Sequence, residues 1–264
     1  MNRFPKMGGK VSTIVAFVLC LLPIPVLADA TIEQQGLGSG WGPKTSWTRT
    51  LSIKGTKMRI DAVHDSESSV YIYDLEAGKR YRLDQKKHQI FVQDLAEESK
   101  REKEYLIYKH MRKIIKPTGR QLQIAGSACD EFTFDLQAPT RPMGGASSVL
   151  HDHGTVCASQ VIPAGKDVIN FVHEAMRRGY QAAASIFSPS GPQIGPYFYG
   201  DQTNVLLLSA NSESEYEGGH TLDVGGMGSS KSGTKLTAVN SNPIPDEMFQ
   251  IPIDWKMKKE PTPH

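Results

Sequence analysis

The sequence predicts an α+β protein in which one antiparallel β-sheet is covered by two α-helices. Three observations support this class. Short segments that alternate apolar and polar residues recur from residue 46 onward, with turn residues between them, as in a β-meander. Two longer segments repeat apolar residues at helical spacing. A Pro-rich segment, residues 243–256, carries too much apolar surface for a solvated tail and is predicted to lie extended against the sheet. We call it the strap.

The first 30 residues have the pattern of a secretory signal. Three basic residues come first: Arg3, Lys6 and Lys10. An apolar run over 11–27 follows and ends at the small-residue triplet of Ala28, Asp29 and Ala30. The sequence therefore predicts cleavage after Ala28 or Ala30 and a periplasmic or secreted protein with no transmembrane anchor once the signal is removed.

Two alternatives to a cleaved signal fit the sequence less well. An uncleaved anchor is disfavoured because Pro23 and Pro25 interrupt a run that is already shorter than a membrane span. A lipoprotein signal would use Cys20, but Val18 and Leu19 stand where such a signal has small residues.

The charge of the chain argues against nucleic acid as a partner. Three of the 30 basic residues and one of the 28 acidic residues lie in residues 1–30, so the remainder carries no formal net charge. Neutral chains lack the basic surface that binding to phosphates requires.

The first half of the mature chain predicts an antiparallel meander. Its strands are "SVYIYDL" (69–75), "KRYRLD" (79–84) and "HQIFVQD" (88–94), separated by short turns. The first strand has apolar residues on both faces, so we expect each face to meet something other than water.

Two segments predict helices that cover the sheet. Over 97–116, Ile107, Met111, Ile114 and Ile115 recur at helical spacing, with acids in the first turn and Pro117 as the stop. Over 166–178, the apolar stripe is formed by Val168, Phe171, Val172 and Ala175.

The mature chain keeps two cysteines, and each lies on a predicted strand. Cys129 precedes "DEFTFDL" (130–136), and Cys157 lies within "GTVCASQVIP". In an exported protein the two are predicted to form a disulfide. The alternative is a zinc site with His151 and His153, although the close Cys pair of zinc fingers is absent.

The last third of the chain predicts further strands at about 203–216, 219–225 and 234–240. "GGMGSSKS" (225–232) nearly matches a phosphate-binding loop, but it lacks the second glycine and no helix follows, so we read it as a hairpin tip. The segments over 138–148 and 185–200 are Gly/Pro-rich and predict irregular loops.

Several stretches together resemble a secreted bacterial family classed as a domain of unknown function, with the fold of the periplasmic lipoprotein carriers LolA and LolB. They are "GTKMRID" (55–61), the meander over 71–92, "GSACDEFTFDL" (126–136) and "KLTAVNSNPIPDEMFQIPIDWK" (235–256). The resemblance covers about residues 45–256. Where the family commonly ends in Gly-Tyr-Lys, this chain has Asp-Trp-Lys.

The resemblance implies an incomplete antiparallel β-barrel whose open side is closed by helices, with an apolar cavity for an acyl chain between them. We expect a single domain over 31–257 and a polar tail over 258–264. The strap would pack Phe249 and Ile251 against the sheet edge, where Pro is tolerated. The candidate cavity residues are Val70, Ile72, Ile90, Val92, Ile107, Met111, Phe132 and Phe134.

The sequence contains no recognisable catalytic motif. Its histidines are scattered, no Gly-x-Ser-x-Gly is present, and no paired-carboxylate motif stands out. We therefore predict a non-enzymatic envelope protein, without cofactor or metal, that binds a lipid-like ligand or the acyl chain of a lipoprotein. The alternative is an envelope protein–protein interaction module with a filled barrel core.

Overall fold

The structure, a computed structural model, describes residues 29–40, 42–105, 111–140, 148–160, 162, 164–184, 186, 206–217 and 229–260. Several predictions fall wholly or partly outside these ranges: the secretory signal over 1–30, the loops over 138–148 and 185–200, the strand over 219–225 and the hairpin tip over 225–232. The candidate residue Ile107 also lies outside them. Within them, no helix is long and apolar enough to cross a membrane.

Twelve strands and three α-helices make up the described chain. The first six strands are β1 (Ala30–Gly40), β2 (Gly42–Lys54), β3 (Lys57–His64), β4 (Glu67–Asp74), β5 (Lys79–Asp84) and β6 (Gln89–Asp94). Then come α1 (Leu95–Tyr105), β7 (Arg112–Ile124), β8 (Ser127–Thr140), β9 (Ser148–Ser159), α2 (Gly165–Arg177), α3 (Gln181–Ala184), β10 (Leu206–Glu217), β11 (Ser230–Asn240), a 3-10 turn (Asp246–Phe249) and β12 (Lys256–Lys259).

All twelve strands belong to one unclosed sheet, in the order β12-β6-β5-β4-β3-β2-β1-β11-β10-β9-β8-β7. Every neighbouring pair is antiparallel except β12 and β6, which are parallel. The predicted α+β class with an antiparallel, incompletely closed sheet is confirmed. The three meander strands β4, β5 and β6 lie where the alternation predicts them.

The helix predicted over 97–116 is wrong at its C-terminal end, over residues 112–116. α1 ends at Tyr105, and residues 112–124 form β7, the edge strand of the sheet. The β-branched Ile114 and Ile115 favour an extended chain, and Pro117 keeps the residue before it out of the helical region. An edge strand tolerates proline because one row of its N–H groups has no partner.

The helices cover one face of the sheet, which we call the helix face. The predicted stripe of α2 is confirmed, since Val168, Phe171, Val172 and Ala175 are fully buried. They pack in one cluster with alternate residues of the central strands, among them Ile32, Leu51, Ile53, Met58 and Ile60. Because side chains alternate across a strand, the residues between these project from the opposite face.

The strap lies on that opposite face and covers its β4–β6 part. Ile251 and Trp255 pack against a buried cluster of Val70, Ile72, Leu83 and Ile90. This placement confirms the prediction that the strap lies on apolar surface, although it covers a face as well as an edge. The expected polar tail begins inside β12, whose residues 256–259 pair with β6 and extend the sheet.

Cys129 and Cys157 form the predicted disulfide, with their Cα atoms 5.5 Å apart. Cys157 lies opposite Glu131 on β8, so the disulfide joins β8 and β9 diagonally. Both side chains are buried. Because both sulfurs are bonded to each other, neither is a free zinc ligand.

Candidate functional site

The part of the opposite face that the strap leaves uncovered spans β3, β2, β1, β11 and β10. Strand register places its side chains in rows that cross the sheet. One row runs Val63, Thr48, Gln35, Lys235 and Ser209, and the next runs Ser46, Leu37, Gly233 and Asn211. Each residue is two positions along its strand from its equivalent in the other row, so the rows lie about 7 Å apart.

A cavity of ≈ 790 Å³ lies over these two rows. We call it the groove. Its volume falls in the range of about 300 to 1,000 Å³ that small-molecule sites have. Its lining is formed by Gln35, Gly36, Leu37, Ser46, Trp47, Thr48, Val63, Asp65, Ser66, Leu122, Gln123, Ile124, Ser209, Asn211, Gly233, Thr234 and Lys235.

The groove contains three of the most exposed large apolar side chains of the described chain. Leu37 is 68% exposed, Val63 45% and Leu122 37%. They come from three strands, β1, β3 and β7, and converge on one cavity. Single exposed apolar residues are ordinary, whereas a group gathered in a concave site is typical of a surface that binds something apolar.

The end of the β7–β8 hairpin forms the far wall of the groove. Its two-residue turn places Ala125 and Gly126 at φ 48° and 76°, the conformation of a type I′ turn. The turn holds Leu122 and Ile124 on the same face as Cys129, which pairs with Leu122. The edge strand of the sheet thus lines the same cavity as β3 and β11, because the sheet curls around this face.

Trp47 lies between the groove residues Ser46 and Thr48 but projects from the helix face, where its position depends on a glycine. A Cβ on Gly36 would come within 2.2 Å of the Trp47 ring, so only glycine lets the indole lie across β1. The guanidinium of Arg49 stacks on this ring at 4.8 Å, and it donates to the backbone oxygen of Ile186 at 2.6 Å. Burial lowers the pKa of Arg49 to about 10.

A second cavity, of ≈ 560 Å³, adjoins the groove. The two share Leu37, Asn211 and Gly233 as lining residues. The second cavity additionally carries four charged or titratable side chains: Lys44, Lys231, Glu213 and His153. We call it the basic cavity.

A cross-strand row also organises the basic cavity. Ser39 lies opposite Lys231, Lys231 opposite Glu213, and Glu213 opposite His153. Lys231 binds Glu213 at 2.9 Å, and this hydrogen bond lowers the pKa of the carboxyl. The row lies two positions beyond Leu37, on the same face of the sheet as the groove.

A third cavity, of ≈ 880 Å³, lies between the strap and the β2–β3 turn. Four of its five charged groups are paired with one another: Lys54 binds Asp246 at 2.8 Å, and Lys57 lies 3.7 Å from Asp74. These ion pairs leave little reason for a ligand there, and the groove is the better candidate site.

The candidate cavity residues predicted from the sequence do not share one lining. Val70, Ile72 and Ile90 are buried under the strap, with Val92 packed against them. Phe134 is buried in the main core, where Phe132 and Met111 pack against it. The space between sheet and helices, where the cavity was expected, holds this packed core. None of the seven candidates that the structure describes lines the groove.

The residues that do line the groove were missed because each is isolated in its strand. Leu37 lies in the Gly-rich "GLGSG", Val63 ends a mixed strand, and Leu122 falls beyond the end of the wrongly predicted helix. The signal that would find them is strand register, which brings them to one face.

The described histidines are dispersed. His151 bonds to Glu217 at 2.9 Å, and His88 stacks on Trp255 with ring centroids 5.2 Å apart. Across the part of the chain that the structure describes, no group of three or more His, Cys, Asp or Glu side chains is placed to hold a metal ion.

One buried carboxyl on the helix face stands out. Asp152 of β9 is fully buried, and one of its oxygens accepts a hydrogen bond from the Ser214 hydroxyl at 3.0 Å. Its other oxygen has no hydrogen-bond partner. Burial raises the pKa of this carboxyl to about 7.

Comparisons with known proteins give a distant likeness of fold. No protein-family model matches the chain, and no curated protein sequence matches it either. An uncharacterized conserved protein from Thermus thermophilus aligns at a TM-score of 0.38 and 6% identity, over 89% of this chain and 92% of that chain. A domain described as an outer membrane lipoprotein-sorting protein, from Vibrio parahaemolyticus, aligns at 0.34 and 6%, over 84% and 89%.

Proposed function

We propose that this protein is a non-enzymatic, carrier-like protein of the cell envelope that binds a lipid-like or other apolar ligand in the groove. The observation that carries the proposal is the convergence of Leu37, Val63 and Leu122, all exposed, on one cavity of ≈ 790 Å³. The motifs that resemble the LolA/LolB-like family point to the same class of ligand.

The hydrophobic effect supplies the affinity in this proposal. Covering exposed apolar surface is favourable by about 25 cal/mol per Å², and an acyl chain covers it without needing hydrogen bonds. The polar side chains that line the groove, such as Gln35 and Thr48, then orient the ligand. The site differs from the one expected from the sequence, because it lies on the face opposite the helices.

A fluorescent fatty acid tests the proposal directly. Leu37→Gln and Val63→Gln each place a polar amide in the groove, and we expect the dissociation constant to rise about tenfold, which corresponds to about 1.4 kcal/mol. Ile253→Gln is the matched control, because Ile253 is fully exposed and lies outside the groove. Equal affinity in all three variants and the parent protein would contradict the proposal.

The second candidate function is an envelope protein–protein interaction module. The packed core between sheet and helices favours it, since a filled interior is what such a module would have. In that case the groove would receive side chains of a protein partner. Native mass spectrometry of protein purified from a bacterial periplasm separates the two: co-purified lipid supports the carrier, and a lipid-free protein that also fails to bind the fluorescent fatty acid supports the module.

We also propose that the chain is exported and cleaved after Ala28. Asp29 is buried and accepts a hydrogen bond from the strap at Ile244 N, and Ala30 is fully buried opposite Ile53. Cleavage after Ala30 would remove both residues from the fold. The intact mass of the periplasmic protein should correspond to a chain that begins at Asp29; a chain that begins at Thr31 would contradict this assignment.

A further inference from the structure

We propose that the ligand is a single-chain amphiphile with an anionic head, whose chain lies in the groove and whose head lies in the basic cavity. This inference rests on the proposed function and specifies its ligand class. Its basis is the position and charge of the two adjoining cavities.

The two cavities adjoin one another along the sheet. They meet at Leu37, Asn211 and Gly233, which line both. Gly233 has no side chain to block the passage, and Leu37 presents an exposed apolar side chain at the junction. The alkyl chain of a ligand that extends from the basic cavity into the groove therefore contacts Leu37 first and Val63 one row further on.

Strand geometry sets the distances on this path. The row of Ser39, Lys231 and Glu213 lies two residues from the row of Leu37, and that row lies two residues from the row of Val63. At about 3.4 Å per residue, the charged row and the Val63 row are about 14 Å apart. A path of this length suits one alkyl chain with a compact head group.

The charges of the path favour a negative head. The groove contains one cation, Lys235, and one anion, Asp65. The basic cavity contains two lysines, Lys44 and Lys231, against one carboxylate, Glu213. Lys231 and Glu213 form an ion pair and offset one another, so Lys44 is the excess positive charge that a head group meets there.

Hydrogen-bond donors complete the site for the head. Hydroxyls of Ser39 and Thr155 line the basic cavity, together with the imidazole of His153. Carboxylates and phosphates accept bonds from such donors and from lysine. A quaternary ammonium accepts none and is repelled by the lysines.

Three compounds with the same twelve-carbon chain test the inference on the mature protein. Dodecanoate, dodecanol and dodecyltrimethylammonium compete with a fluorescent fatty acid for the groove. We expect dodecanoate to bind at least tenfold more tightly than dodecanol, dodecyltrimethylammonium to bind least tightly, and the preference to shrink at high salt. Lysophosphatidylglycerol and lysophosphatidylcholine of equal chain length then distinguish a phosphate head from a carboxylate.

A charge-reversal variant locates the head. Lys44→Glu should weaken dodecanoate at least fivefold and leave dodecanol unchanged. Lys166→Glu on α2 is the matched control, since it makes the same charge change at an exposed site on the helix face. Equal affinities for the three compounds, or equal effects of the two variants, would overturn the inference while the proposed function stands. If no compound binds, the proposed function fails, and this inference fails with it.

Discussion

The face opposite the helices has two parts that differ in what covers them. Over β4–β6, the apolar residues Val70, Ile72 and Ile90 lie under the strap and are almost fully buried. Over β3, β2 and β1, Val63 and Leu37 project from the same face and are exposed. The strands of both parts alternate in the same way. Whether an apolar residue of this face is buried or exposed therefore depends on whether the strap, a segment near the other end of the chain, covers it.

The covered part is fastened through the backbone of the strap. Lys54 donates to the Ile244 oxygen at 2.8 Å, and Arg59 donates to the Met248 oxygen at 3.1 Å. The open part has no such cover among the described residues, and the disulfide lies beside it, between β8 and β9. One part is stabilised by packing of the strap, and the other stays exposed.

Removal of the disulfide should have the largest effect and should act on β8 and β9, beside the open part. In the chain-entropy model, a loop closed over 28 residues stabilises the fold by about 3 to 4 kcal/mol. We expect Cys129→Ser with Cys157→Ser to lower the melting temperature by roughly 10 °C, measured by calorimetry. Hydrogen exchange should accelerate in β8 and β9 and remain slow in β4–β6. Equal acceleration in both parts would show that they do not differ in this way.

A pair of alanine substitutions should separate the covered part from the open part. Ile72→Ala removes a side chain that is 1% exposed and should cost about 3 kcal/mol, because it leaves a cavity under the strap. Val63→Ala removes a half-exposed side chain and should cost about 0.5 kcal/mol. Urea unfolding measures both. Similar losses would mean that the groove is as tightly packed as the strap.

A smaller effect is expected at the anchor of the strap. Asp29→Ala leaves the buried N–H of Ile244 without its acceptor, which should cost about 2 kcal/mol. Asp246→Ala is the control, since Asp246 is largely exposed and solvent screens its ion pair with Lys54. Limited proteolysis should cleave the strap faster in the first variant. An unchanged cleavage rate would mean that the hydrogen bond from Ile244 to Asp29 does not hold the strap in place.

The smallest effect is a pH dependence from the helix face. The folded pKa of Asp152 is raised to about 7, whereas in the unfolded chain the carboxyl ionises near pH 4. The free energy of unfolding should therefore fall as the pH rises from about 4 to about 7. Asp152→Asn removes that ionisation but adds an unpartnered N–H, so we expect a gain of about 1 kcal/mol at pH 8. At pH 4 the gain should disappear. Melting temperatures at the two pH values measure this, and a pH-independent difference would contradict it.

Local sequence patterns predicted much of the fold, because alternation, turn residues and helical spacing depend only on residues that are close in the sequence. The meander strands follow from alternation and turn residues, and α2 follows from the spacing of Val168, Phe171 and Val172. The segment around Ile114 and Ile115 was misread because its apolar residues fit a helical spacing as well as a strand. Only its pairing with β8 decides between them.

The location of the site could not be predicted from the same patterns. Val70 and Ile72 lie on a strand that is apolar on both faces, so the sequence predicted them as a cavity lining. In the structure they are buried under the strap. Leu37 and Leu122 become a site only when β1 and β7 reach one face of the curled sheet. The relevant information is the register of strands distant in sequence, which composition and periodicity do not contain.

The position of β1 in the strand order has a consequence for how the chain folds. β1 lies between β2 and β11, and Thr31 pairs with Asn240. The centre of the sheet therefore cannot form until nearly the whole chain has been synthesised. Contacts of such sequence separation make folding slow, since loop closure must be completed before the pairing stabilises the chain. A polypeptide of this topology therefore stays without its β1–β11 pair until its last strands have been synthesised.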